Sequence, residues 1–238
     1  IENVDVPIAE YFPELKERDN PYWRQITVRH LLTHSSGVND ADFLSWSQSE
    51  NWVDYTLNQN LAGAPGSVFI YSTGGSHLLS VVIRQATGMS EYEYGLKNLF
   101  EPLGMDSVRW STDPQGITDG GNGIAMNAYD MAKFGQLFLD GGKWRGRQII
   151  SEEWAIESGS VQYAQTGRYS AYGYQWWIRK FGAGGYDTFF AQGHFGQLIF
   201  VAPELNLVSV FTSRFPNDSG GPFPYFADYV LASCEPLL

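Results

Sequence analysis

A lysine three residues after a serine is a pattern that does chemistry. On a helix it puts an amine one turn below a hydroxyl, within reach of its proton. The chain has five lysines, Lys16, Lys97, Lys133, Lys143 and Lys180, and the residues three places before them are Pro13, Tyr94, Asp130, Asp140 and Trp177. No Ser-x-x-Lys is therefore present in this sequence. Ser35, Ser36 and Ser76 do not sit in a Gly-x-Ser-x-Gly turn, so a strand-to-helix nucleophile elbow is unsupported. Two polar segments stand out instead. Tyr71-Ser72-Thr73-Gly74-Gly75 follows the apolar run Val68-Phe69-Ile70, and His194 lies between Gly193 and Phe195-Gly196. Glycines beside His194 let backbone and ligand approach closely, which favours a functional histidine over a packed one. His30 and His34 have the i, i+4 helical spacing that can bind zinc. The zinc-protease pattern needs Glu after the first His, however, and Leu31 stands there. No third ligand is evident, so neither a metal nor any other cofactor is expected. The two rings are expected to brace the helix end and the Ser35-Ser36-Gly37 turn. The single cysteine, Cys234, has no histidine or basic cluster beside it to lower its pKa.

The elements that must position these residues change character along the chain. Thr27 is a helix N-cap before Val28, Leu31 and Leu32, with Ser35-Ser36-Gly37 as the stop. A helix is expected over 41–60, with Phe43, Leu44, Trp46, Trp52 and Leu57 as its apolar set. Val68 to Tyr71 reads as a short extended run that delivers Tyr71 to the Ser-Thr-Gly-Gly corner. Leu78, Leu79, Val82 and Ile83 predict a helix over 76–86, ended by Gly88. Further helices are expected from Ser90 through Leu99, from Asn127 to Leu139 and from Ser151 onward. Strands are expected over 172–178, 196–201 and 207–212, followed by a helix over 225–232 packed on their sheet. Helices first and a strand meander last predict an α+β fold: an antiparallel sheet flanked by helices, with a mostly helical second lobe. The expected division within a single domain, 1–238, is a helical lobe over about 27–165 and a sheet with its C-terminal helix over about 166–238.

Bulk properties exclude several partners. The chain has 238 residues, with 43% hydrophobic and 17% charged, so a sizeable core is available. The formal net charge of −11 lacks the basic footprint that nucleic acid or an anionic membrane surface requires. No stretch reaches the 18 or more apolar residues of a membrane span. The chain opens on Ile1-Glu2-Asn3-Val4-Asp5, without a start methionine or a basic leader, so a processed or truncated N-terminus is expected.

The segment Ile26-Thr27-Val28-Arg29-His30-Leu31-Leu32-Thr33-His34-Ser35-Ser36-Gly37-Val38 resembles the signature of the serine β-lactamase/penicillin-binding-protein-like family, in its class C β-lactamase and esterase branch. The resemblance continues in order through Tyr71-Ser72-Thr73-Gly74-Gly75, Phe100-Glu101-Pro102-Leu103-Gly104-Met105, Asp130-Met131-Ala132-Lys133-Phe134-Gly135, Tyr172-Gly173-Tyr174-Gln175-Trp176-Trp177 and Gly193-His194-Phe195-Gly196-Gln197. Several motifs in one order are far more specific than any one alone.

The resemblance implies a serine hydrolase that cleaves a small-molecule ester or amide through an acyl-enzyme. It implies that Tyr71 is the general base or proton relay. A free phenol has a pKa of about 10, so such a tyrosine needs neighbouring cations. His194 stands where relatives often carry the lysine of a Lys-Thr-Gly strand, which favours esterase- or peptidase-like activity over efficient β-lactamase activity. Thr73 replaces the usual asparagine. Gly196 and Gln197 fall in the substrate-binding strand, the Gln197 N–H as one half of an oxyanion hole. The nucleophilic Ser-x-x-Lys helix of such proteins normally precedes a segment like Val6 to Leu15, so the resemblance places the nucleophile upstream of Ile1. It implies that this chain associates with that segment and is inactive alone. The alternatives are a non-catalytic descendant that binds a ligand or partner, and an inactive fragment. Relatives of this kind are frequently exported in bacteria, periplasmic or secreted, but the sequence itself names no compartment.

Overall fold

The computed structural model describes residues 3–40, 42–167, 171–216 and 220–234. The chain forms two compact units. The first comprises Ile1–Glu101 and Val108–Ala125, the second Pro102–Ser107 and Met126–Leu238.

The first unit is built on short helices around an apolar centre of Ile8, Phe12, Leu15, Trp23, Ile26, Val28, Leu31, Val38, Leu57, Leu78 and Val82. Three 3₁₀ turns, Ile8–Glu10, Pro13–Glu17 and Pro21–Gln25, lead into helix α1 (Val28–Leu32). Proline opens two of them, where its missing N–H costs nothing. Thr27 caps α1 as expected, and His30 completes the box, its Nδ1 accepting the Thr27 N–H at 3.1 Å.

The helix expected over 41–60 is two helices, α2 (Phe43–Gln48) and α3 (Trp52–Leu57). The break has a local cause. Ser49 turns back, its hydroxyl donating to the Trp46 carbonyl, and Asn51 restarts the chain as N-cap of α3. Helix α4 (Thr73–Thr87) is the long one, stopped by Gly88 at φ +73. Its inner face sets Leu78, Val81 and Val82 into the core. Leu78 is fully buried, worth about 2 kcal/mol. Ser90 and Glu93 form a capping box at α5 (Glu91–Gly95), and β1 (Arg109–Trp110) pairs antiparallel with β2 (Ile124–Ala125).

Charge is buried between α4 and the 108–125 segment. His77 Nε2 meets Asp113 Oδ2 at 3.1 Å, both side chains fully buried. The Gly120 N–H donates to His77 Nδ1 at 3.4 Å, so the proton sits on Nε2 and the ring is neutral. Burial holds His77 below its ordinary pKa against the opposing pull of Asp113. Nearby, burial pushes the Glu91 carboxyl up to about 7; the Ser80 hydroxyl offsets part of this and the Asp119 charge adds to it.

The second unit is a five-stranded antiparallel meander, β5 (Ala171–Tyr172), β6 (Trp177–Phe181), β7 (Tyr186–Gly193), β8 (Gln197–Ala202) and β9 (Leu207–Phe211), each strand beside its sequence neighbour. Before it come α6 (Ala128–Leu139), a small hairpin of β3 (Lys143–Trp144) and β4 (Arg147–Gln148), and α7 (Glu152–Ser158). After it come α8 (Phe223–Tyr225), a π-helical stretch Phe226–Leu231 and α9 (Ala232–Cys234). This α+β architecture is the one expected from the order of elements.

The sheet is covered on both faces. Helix α6 lies on one: a Cβ on Gly135 would come within 2.7 Å of Val208 and 2.8 Å of Ile199, so only glycine permits this approach. The opposite face is aromatic. Phe200 stacks on Phe226 at 3.9 Å with rings nearly parallel, Phe181 and Phe223 pack around them edge-on, and Phe190 lies tilted against Phe200.

The strands differ from the sequence-based expectation in two places. Strand β7 was not among the expected strands, because Phe189 and Phe190 are buried in succession on opposite faces and no apolar/polar alternation marks them. The run 172–178 is not one strand. It turns at Gly173–Trp176, with the Gly173 N–H bonded to the Trp176 carbonyl at 2.8 Å and Gln175 at φ +62, so that Tyr172 pairs with Trp177. The C-terminal helix does pack on the sheet, as expected.

Candidate active site

The expected site residues fall into two groups, one in each unit. Tyr71 and Thr73 belong to the first.

Tyr71 sits just before α4. Tyr71 is 48% exposed, whereas Ser72 after it and His34 beside it are buried. The segment 68–71 pairs with no strand; it is held by single hydrogen bonds. The Ile70 N–H donates to the His34 carbonyl at 2.8 Å. The Ser72 N–H donates to His34 Nδ1 at 3.1 Å. The His34 ring lies against the Tyr71 ring with centroids 4.3 Å apart, and Phe69 meets it edge-on at 6.1 Å. Ser72 is the N-cap of α4, accepting the Gly75 N–H at 2.7 Å. Thr73 is the first residue of that helix.

A carboxylate reaches the same helix end. Asp40 Oδ2 accepts the Gly74 N–H at 2.5 Å. Burial raises the Asp40 pKa, and hydrogen bonds from Ser72 and Gly74 pull it back down. A side chain on Gly74 has no room: a Cβ would lie 2.3 Å from Thr56 Oγ1 and 2.6 Å from Asp40 Oδ2. Thr56 is itself fixed by the Trp46 indole, which donates to its hydroxyl at 3.1 Å.

His34 is the residue the sequence reading placed differently. It was expected to brace the end of α1; instead it leaves that helix at φ +53 and reaches the Tyr71 corner. It is 1% exposed, and burial lowers its pKa to about 3, so the ring is neutral. The two histidines that share helical spacing thus use their Nδ1 atoms in separate hydrogen bonds, His30 at the start of α1 and His34 before α4. Among the described residues no cluster of three or more His, Cys, Asp or Glu is arranged to hold a metal ion.

His194, Gly196 and Gln197 form the second group, at the turn from β7 to β8. His194 is exposed and its ring lies 3.9 Å from that of Phe195. Phe195 adopts φ +61 and Gly196 φ +87, two successive left-handed residues that reverse the chain within three positions. The next segment locks this turn. Ser213 Oγ donates to the Gly196 carbonyl at 2.6 Å, the Phe215 N–H donates to the Phe195 carbonyl at 3.0 Å, and Gln197 Nε2 donates to the Ser213 carbonyl. A Cβ on Gly196 would stand 2.6 Å from Ser213 Oγ, so the glycine is required by both conformation and space. Gln197 opens β8 opposite Gly193. No helix among the described residues is long and apolar enough to cross a membrane.

The chain is similar to known proteins along most of its length. Over 102 residues the chain is 35% identical to penicillin-binding protein 4* of Bacillus subtilis (strain 168), a match covering 37% of this chain and 22% of that protein. Over 236 residues it is 25% identical to the 6-aminohexanoate-dimer hydrolase of Paenarthrobacter ureafaciens, covering 89% of this chain and 59% of the relative. The chain thus spans less than two thirds of the length of either. Among solved structures, a putative 6-aminohexanoate-dimer hydrolase from Bacillus anthracis superposes with a TM-score of 0.82 at 24% identity, over 98% of this chain and 66% of that one. The family model described as Beta-lactamase matches residues 1–227. The chain belongs to the β-lactamase family.

Proposed function

We propose that the protein is a serine hydrolase of the penicillin-binding-protein-like type, cleaving an ester or amide through an acyl-enzyme. The observation that carries this is the presentation of Tyr71: a half-exposed phenol just before a helix N-terminus, its chain tied to the buried His34 through the amides of Ile70 and Ser72.

Tyr71 acts as base or relay. It takes the hydroxyl proton as the serine oxygen bonds to the substrate carbonyl carbon, and returns it to the leaving group as the tetrahedral intermediate collapses. Water then repeats the sequence on the acyl-enzyme. Thr73 and His194 serve as substrate contacts. The Gln197 N–H is an oxyanion donor, with Gly196 allowing the close approach. The similarity to a 6-aminohexanoate-dimer hydrolase supports an open-chain amide or ester substrate over a β-lactam. Since this chain contains no Ser-x-x-Lys, the nucleophile comes from sequence outside it, and the chain alone is inactive.

Labelling of the full-length gene product with a fluorophosphonate or a fluorescent penicillin, followed by peptide mapping, tests the proposal. A covalent adduct on a serine of a Ser-x-x-Lys segment is expected. Reversible binding without an adduct would replace the enzyme with a non-catalytic ligand-binding member of the family.

A further inference from the structure

We infer that His34 is the positioning residue for Tyr71, holding the phenol through three separate contacts with one side chain and one carbonyl. This inference rests on the proposed role of Tyr71. The residues on either side of Tyr71 both donate to His34, the Ile70 N–H to its carbonyl and the Ser72 N–H to its Nδ1. Two bonds to one residue, bracketing the Ile70–Tyr71 stretch, restrict the four backbone torsions between them. The imidazole then lies against the phenol at 4.3 Å, which restricts the side-chain torsions as well.

Three features show that the arrangement depends on histidine in its neutral form. Nδ1 accepts from an amide, so the ring proton is on Nε2. The ring is buried where a cation is disfavoured, consistent with a pKa held well below neutrality. The backbone at φ +53 lies in the left-handed region, which histidine enters more readily than most side chains and a β-branched residue does not. His34 touches Tyr71 rather than the reacting atoms, so its role is positional.

Two substitutions separate its parts. His34→Asn tolerates the left-handed backbone and places a carbonyl oxygen near the Nδ1 position, keeping the acceptor and losing the ring. His34→Gly tolerates the backbone and keeps the main-chain carbonyl, losing acceptor and ring together. In the full-length enzyme, His34→Gly is expected to lower kcat by about 10²-fold with KM little changed, since a small misplacement of a reacting group costs about that much. His34→Asn is expected to recover about tenfold of this loss, the share that the amide hydrogen bond carries. In a Tyr71→Phe background His34→Gly should have no further effect on kcat. Hydrogen exchange gives an activity-independent readout: the Ser72 amide should be protected in the wild type and in His34→Asn, and exposed in His34→Gly. If His34→Gly does not fold, the Asn variant and its Tyr71→Phe double mutant decide the matter by the same non-additivity. Loss of kcat by the same factor with and without Tyr71, or wild-type kcat in His34→Gly, overturns the inference. Wild-type kcat in Tyr71→Phe alone would instead overturn the proposed role of Tyr71.

Discussion

Glu91 offers a test of the buried charge between α4 and the 108–125 segment. It opens α5, where the helix N-terminus favours an anion, yet its Oε2 is buried and has no hydrogen-bond partner among the described residues. Burial wins, and the carboxyl is pushed from its ordinary 4.5 up to about 7. An acid held above its unfolded value binds its proton more tightly in the folded state. The stabilisation is therefore fully present below pH 4.5 and is lost as pH rises through about 7. At about 1.4 kcal/mol for each tenfold change in affinity, the interval corresponds to about 3 kcal/mol. Glu91→Gln keeps the shape and removes the proton equilibrium. The variant should match the wild type at pH 4 and exceed it by about 3 kcal/mol at pH 8. Urea unfolding of both proteins across this range gives the difference directly from the midpoints. Parallel stability curves from pH 4 to 8 would refute the reasoning, because they would mean that Glu91 ionises as freely in the folded chain as in the unfolded one.

Tyr71→Phe in the full-length protein should lower the acylation rate by about 10²-fold or more, measured by burst kinetics with an activated ester. Gly74→Ala should cost about 1–3 kcal/mol, because the new methyl meets Thr56 Oγ1 at 2.3 Å and Asp40 Oδ2 at 2.6 Å; thermal melts would show it, and an unchanged Tm would mean that α4 can withdraw freely. Phe226→Ala removes a fully buried ring stacked on Phe200 and should destabilise the second unit by about 3–5 kcal/mol, read by denaturant unfolding.

The sequence was most legible where one residue type has one structural use. Thr27 as a cap, Gly88 as a stop and the Asn127–Leu139 periodicity all appear in the structure at those positions. The ordered motifs led to the family because they lie along most of the chain. Legibility failed where burial on both sides removes periodicity, as at Phe189-Phe190, and where a residue other than glycine takes a left-handed turn inside an aromatic run, as at Gln175. His34 was misplaced for another reason. Helical spacing with His30 points to a shared role, but a left-handed φ at residue 34 ends that helix's geometry before the spacing applies. The signal that could have found it was the Thr-His-Ser-Ser-Gly sequence itself, a helix exit rather than a helix face.

The route of the chain between its two units has a consequence for biosynthesis. The first unit is interrupted at 102–107 and completed only by Val108–Ala125. His77 lies in α4, but Asp113 and the Gly120 amide that bond to its two ring nitrogens arrive some forty residues later. On a ribosome adding about 5–20 residues per second, α4 must wait several seconds with a polar ring unsatisfied. The meander of the second unit faces no such delay, since every strand from β6 onward emerges beside a partner already made. Vectorial synthesis therefore leaves the N-terminal unit, which carries Tyr71, as the part of the nascent chain exposed longest to chaperones and proteases.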